Sequence, residues 1–170
     1  MGYETVVVER SSEGVLTVTL NRPEKLNSFN ESMENEFSEL WTEVRTDDDI
    51  RAVVLTGSGE RAFCSGVDVS ERLDSPNPFL DPKHPWAEHE DPGRKLSPRR
   101  NEVWKPVIAA VNGMCAGGAF YWVADCDIVI CTPEATFFDP HVTYGFVAAL
   151  EPIALRFRMS FSDVMRMALL

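Results

Sequence analysis

The sequence predicts an α/β fold, on three observations. An apolar strand, an amphipathic helix and a second apolar strand follow one another between Val15 and Thr56. Two glycine-bearing turns, Ser65-Gly66-Val67-Asp68 and Ala116-Gly117-Gly118-Ala119, each come after an apolar strand-like run. The 170 residues are 44% hydrophobic, enough to bury the core of one ordinary domain spanning 1–170.

The elements follow in order. β-branched residues from Thr5 to Val8, a Ser-Ser-Glu-Gly turn and the run Val15 to Leu20 read as a hairpin, ended by Asn21-Arg22-Pro23. Asn30 is a helix cap, and Met33, Phe37, Leu40, Trp41 and Val44 recur at helical spacing until Asp47-Asp48-Asp49. Ala52 to Thr56 is a continuous apolar strand, so the crossover is right-handed and the sheet largely parallel. Residues 71–100 hold most of the prolines, with His84 and His89, and read as a long surface excursion, either a lid or a disordered segment. Regular structure resumes with a buried strand at Pro106 to Val111, a Gly-rich turn, a helix from about Gly118 to Cys126, a strand at Ile128 to Cys131 and a short strand or turn at Thr136 to Phe138. Ser160 to Leu170 is helical in pattern and lacks a C-cap signal, so the chain reads as cut off within an element.

Composition excludes several functions. A net charge of −11 argues against nucleic-acid or anionic-membrane binding, since affinity for phosphates comes from Lys and Arg that are outnumbered here. An anionic ligand needs a local basic patch, for which Arg22, Lys25 and Arg61 are candidates. Cys64, Cys115, Cys126 and Cys131 form no close pair and read as reduced core cysteines of a cytoplasmic protein. Met1 leads straight into a strand-like run, so no signal peptide is expected, and no apolar run has the length of a membrane span. No metal site is expected, since no cluster shows ligand spacing.

The two glycine turns carry the chemistry. On neighbouring strands, such turns aim two backbone N–H groups at one point, the geometry of an oxyanion hole, where one donor is worth about 2.7–4 kcal/mol of barrier. Four runs then give the chain its resemblance: NRPEKLNSFN from Asn21, AVVLTGSGERAFCSGVDVSE from Ala52, KPVIAAVNGMCAGGAFYWVADCD from Lys105 and ATFFDPHVTYG from Ala135. In this order and spacing the chain resembles the enoyl-CoA hydratase/isomerase family, the crotonase superfamily. The resemblance implies a spiral of repeated ββα/βαβ units, a homotrimer or hexamer, an acyl-CoA thioester as substrate and no cofactor beyond the coenzyme A that the substrate carries. It also implies a further C-terminal helical portion, absent from these 170 residues.

By the same resemblance, Val67 and Gly118 are the oxyanion donors, with Gly117 beside them, while Ser65, Asp68 and Val69 receive the adenine and Lys25 and Leu26 flank the pantetheine and phosphates. The two glutamates that serve hydratases of the family fall on Tyr121 and His141. His141 is an acid/base candidate or a hydrogen-bonded structural histidine, and Asp139 is placed to orient it. Tyr121 is a proton relay or core packing, Tyr144 a lining residue of the acyl site, and Glu151 either a helix-start carboxylate or a second catalyst. The expected function is enolate chemistry on an acyl-CoA thioester of the hydratase/isomerase type. A β-keto acyl-CoA ring-opening or thioester hydrolase and a non-catalytic acyl-CoA binder are the alternatives. The chain is then either a short form or a fragment, and a fragment is expected to expose apolar surface around Phe146, Phe157 and Phe161.

Overall fold

A computed structural model describes residues 2–74, 91–148 and 150–169. His84 and His89 lie outside the described residues.

Strands β1 (Val6–Arg10) and β2 (Val15–Leu20) form the expected hairpin, Val6 opposite Leu20. Helix α1 (Glu31–Thr46) starts where Asn30 accepts the N–H of Met33 through its side chain, and it buries Met33, Phe37, Leu40, Trp41 and Val44 as their spacing predicts. From there the chain alternates between two sheets. β3 (Ala52–Gly57) joins the first sheet and β4 (Ala62–Cys64) the second. After the short helices α2 (Val69–Asp74) and α3 (Gly93–Leu96), β5 (Val107–Val111) returns to the first and β6 (Met114–Ala116) to the second. Helix α4 (Phe120–Val123) precedes β7 (Ile128–Cys131) in the first and β8 (Phe137–Phe138) in the second. The orders β1-β2-β3-β5-β7 and β4-β6-β8 are therefore those of a spiral, each turn adding one strand to each sheet. All pairs except the first hairpin are parallel. Helices α5 (Glu151–Leu155) and α6 (Phe161–Leu169) close the described chain.

The core lies between the sheets and α1. Trp122 packs against Phe37 at 4.9 Å and meets Phe29 and Phe63 edge-on, and the Trp41 indole donates to Leu96 O at 2.9 Å. Two expectations are corrected. The helix after the Gly-rich turn is a single turn, because Gly117–Ala119 is a 3₁₀ segment and Ala124 to Cys126 closes it with turn hydrogen bonds. Cys64, Cys115 and Cys126 are buried, but Cys131 is exposed, because β7 is the edge strand of its sheet and its outer neighbours Ile128 and Ile130 are exposed too.

Candidate active site

Three turns meet at the carboxyl ends of the three short parallel strands. β4 runs into Ser65–Asp68, β6 into Gly117-Gly118, and β8 into Asp139-Pro140-His141. Neighbouring parallel strands deliver their turns to one end of the sheet, the end at which α/β proteins build ligand sites.

The first two turns touch. Gly66 has φ +94°, and a Cβ on it would stand 3.0 Å from Ala116 O and 3.1 Å from the amide nitrogen of Gly118. Only glycine gives both the left-handed backbone and that approach. Val67 is then oriented by its bridge to Phe29. The Phe29 N–H donates to Gly66 O at 2.9 Å and Phe29 O accepts from Asp68 N–H at 2.8 Å, so the intervening Val67 N–H faces away from Phe29. Gly118 lies in the first turn of a 3₁₀ segment, where amides have no intrahelical acceptor, and a Cβ there would strike the Phe29 ring at 2.6 Å. Two amides from abutting turns are thus held by one phenylalanine. A Cβ on Gly117, which has φ +50°, would stand 3.4 Å from Pro140 and 4.0 Å from the His141 ring, which brings the third turn alongside.

The loop from Arg22 to Phe29 lies across this end. Leu26 and Asn27 are both left-handed, with φ of 53° and 54°. Buried Asn27 offsets that strain by donating to Ser58 O and Ala62 O and accepting from Arg22 N–H, while Leu26 O accepts the Ser65 N–H at 3.1 Å. Lys25 and Leu26 are thereby stapled beside Ser65. Arg22, by contrast, is not a surface cation. It is buried and donates to Ser28 O, Asp68 and Glu71 at 2.6–2.9 Å. Asp68 is equally committed. Burial works against its charge, but hydrogen bonds from Ser70 and Arg22 hold its carboxyl below the usual range. The exposed cations at this rim are Lys25, whose ammonium reaches Ser70 Oγ at 3.3 Å, and Arg61, which donates to Pro23 O. Val69, first residue of α2, is exposed beside them.

On the other flank the titratable groups form a chain. His141 Nδ1 is hydrogen-bonded to Asp139 Oδ1, and the same oxygen accepts the His141 N–H at 2.9 Å. That bond raises the imidazole pKa above its ordinary 6.5, against burial and with help from the Glu151 charge. The other ring nitrogen, Nε2, stands 3.9 Å from Glu151 Oε1. Glu151 begins α5 and is buried, which pushes its carboxyl pKa up against the backbone N–H and His141, both favouring its charge. Tyr121, on α4, is buried with its hydroxyl in hydrogen-bonding reach of both Glu151 and Asp91. Burial and those two carboxylates raise its pKa far above that of an ordinary phenol. Asp91 is in turn paired with Arg100 and accepts the Gly93 N–H at 3.0 Å.

Tyr144 does not join this group, being 71% exposed at the end of the 3₁₀ turn Val142–Tyr144. Sequence reasoning missed Asp91, Gly93 and Arg100. They sit some 20 to 30 residues before Tyr121 in a polar stretch, and no local pattern ties them to it. Among the described residues no group of three His, Cys, Asp or Glu could hold a metal ion, and no helix is long and apolar enough to cross a membrane.

A family model for enoyl-CoA hydratase/isomerase matches residues 10–170. The chain is 39% identical to the (E)-benzylidenesuccinyl-CoA hydratase of Thauera aromatica over 139 residues, 82% of this chain and 52% of that protein. It is 42% identical to the mevalonyl-coenzyme A hydratase of Aspergillus fumigatus over 134 residues, 79% of this chain and 47% of that protein. Among solved structures, an enoyl-CoA hydratase/isomerase from Mycobacterium paratuberculosis superposes with a TM-score of 0.80 at 38% identity, covering 98% of this chain and 60% of that one. A carnitinyl-CoA dehydratase from Mycobacterium avium superposes at 0.79 with 31% identity, covering 97% and 62%. The chain spans about half the length of the curated relatives it matches. The alternating two-sheet spiral, the abutting glycine turns and these likenesses together identify the chain as a member of the enoyl-CoA hydratase/isomerase family.

Proposed function

We propose that the chain carries the acyl-CoA site of a hydratase-type enzyme, in which the N–H groups of Val67 and Gly118 receive the thioester oxygen and His141 moves the proton. The observation that carries this reading is the contact of the Gly66 and Gly118 turns, with His141 packed beside Gly117. As water oxygen adds to the β-carbon, its proton passes to His141 Nε2 and the C=C electron pair moves onto the thioester oxygen. The two amides stabilise this enolate, each by about 2.7–4 kcal/mol. A proton from Glu151 to the α-carbon completes hydration, and the His141 proton returns to Glu151. Asp139 on Nδ1 leaves Nε2 able to accept in the first step. Double-bond migration uses the same enolate without the water. Lys25 and Leu26, with Ser65, Asp68 and Val69 contributing mostly backbone, flank the coenzyme A, and the exposed Phe146, Phe157 and Phe161 fit a protein that works as a homotrimer or hexamer.

The Asp139–His141 pair favours a second reading, because an oriented imidazole beside two amide donors is also the arrangement that activates water against a thioester carbonyl. Incubation in isotopically labelled water with linear enoyl-CoA and cyclic β-keto acyl-CoA thioesters, read by mass spectrometry, separates the two. Label gained with coenzyme A retained supports hydration or ring opening. Released coenzyme A supports thioester hydrolysis, and tight binding without product supports a binder. His141→Ala is expected to lose about 10²–10⁴-fold in turnover. The reactive form carries one proton on the His141–Glu151 pair. Turnover is therefore expected to rise as the first proton leaves, above 4.5, and to fall as the last leaves, above 6.5, the proton that Asp139 helps His141 hold. Full turnover in the alanine variant would sink the role given to His141.

A further inference from the structure

We propose that Arg22, acting through two peptide units, fixes the direction of the Val67 N–H and is a positioning residue of the oxyanion hole. The proposal rests on the reading of Val67 as a donor to the thioester oxygen. Arg22 is buried, and its guanidinium is a fork with two tasks. Nη2 reaches the carboxylates of Asp68 at 2.9 Å and Glu71 at 2.6 Å, whereas Nη1 donates to Ser28 O at 2.6 Å. The carboxylates balance the buried charge. The Ser28 arm balances nothing, and it lands on the peptide that holds the Ser65–Asp68 turn.

That carbonyl belongs to the Ser28–Phe29 peptide, whose N–H donates to Gly66 O at 2.9 Å. Gly66 O belongs in turn to the Gly66–Val67 peptide, whose N–H is the proposed donor. Neither bond is cis, and a trans peptide sends its C=O and its N–H in opposite directions. A hydrogen bond on the carbonyl of each unit therefore aims the N–H of the same unit. The guanidinium aims the Phe29 N–H at Gly66 O, and Phe29 aims the Val67 N–H away from itself. Hydrogen bonds in series also polarise one another, and this series starts at a cation. Gly66, at φ +94° and without a side chain, has the backbone freedom that such a brace removes. The same guanidinium grips Asp68, whose N–H donates to Phe29 O at 2.8 Å, so Val67 is braced from both neighbours.

Arg22→Lys separates the two tasks. One ammonium replaces the fork and two carboxylates draw it, so the buried charges stay paired while Ser28 O loses its donor. Native-state hydrogen exchange of the full chain, read by nitrogen-15 NMR without ligand, measures the brace amide by amide. In Arg22→Lys the Phe29 amide is expected to exchange about 10- to 100-fold faster, while the Val53 amide, which donates to Pro106 O, stays within about threefold. Glu71→Gln, which keeps the fork and neutralises a half-exposed acceptor, is expected to leave both amides as in the parent. An unmoved Phe29 amide, or equal acceleration of Phe29 and Val53, would overturn the brace. With an enoyl-CoA thioester, Arg22→Lys is expected to lower kcat about tenfold with KM within about twofold. A Phe29-specific acceleration with unchanged kcat, where Val67→Pro does slow turnover, would overturn the positioning role. The same acceleration where turnover is indifferent to Val67→Pro would overturn the donor reading and leave the brace standing.

Discussion

Helices α1 and α6 are both amphipathic, and they meet opposite fates. The first buries Met33, Phe37, Leu40, Trp41 and Val44 against the sheets, whereas the second buries Val164 and Ala168 and leaves Phe161, Met165 and Leu169 exposed. The same contrast divides the site. The two glycine turns are held by Phe29, which is 1% exposed within the aromatic cluster around Trp122. His141 and Glu151 sit where the chain carries exposed Val142, Tyr144, Phe146 and Ile153. The two glycine turns therefore stand on the aromatic core, whereas buried Glu151 and half-buried His141 stand beside exposed apolar side chains.

Substitutions that act on one side only test this division. The largest effect is expected from Trp41→Ala, which empties a fully buried site and removes the hydrogen bond to Leu96 O, costing about 3–5 kcal/mol of unfolding free energy in a denaturant titration. Next comes Val67→Pro, which deletes the amide proposed to receive the thioester oxygen while sparing both Phe29 hydrogen bonds. Turnover is expected to fall about 10²–10³-fold with little change in stability, and a variant as fast as the parent would remove Val67 from the oxyanion hole. The smallest effect is expected from Phe161→Ser, where the ring is 73% exposed: within about 0.5 kcal/mol by the same titration. A loss comparable to that of Trp41→Ala would show that α6 is packed in solution, and the contrast between the two helices would fall.

The parts legible in the sequence are those that local pattern encodes. The spacing of Met33 to Val44, the cap at Asn30, the β2 and β3 runs and the two glycine turns all specify structure within a few residues, and each stands where expected. Three residues cannot display a periodicity, so β4 and β6 showed only as apolar lead-ins to their turns, and the second sheet stayed hidden. Cys131 read as core because the Ile-Val-Ile-Cys run is apolar throughout, and only the sheet order reveals an edge. Arg22 read as a phosphate ligand because its consumers, Asp68 and Glu71, lie 46 and 49 residues away. The pairing of Asp139 with His141 was legible at a spacing of two, whereas that of Asp91 with Tyr121 needed the fold.

The bridge that seats Phe29 between Gly66 and Asp68 separates what the site keeps from what it can change. The donors at Val67 and Gly118 are main-chain atoms, indifferent to side-chain replacement so long as the glycines and the phenylalanine persist. His141 and Glu151 hang on other segments, while Tyr121 follows Gly118 directly into α4. On the proposed function, such a scaffold lets heredity edit the groups that move protons while the pair of main-chain donors is copied unaltered.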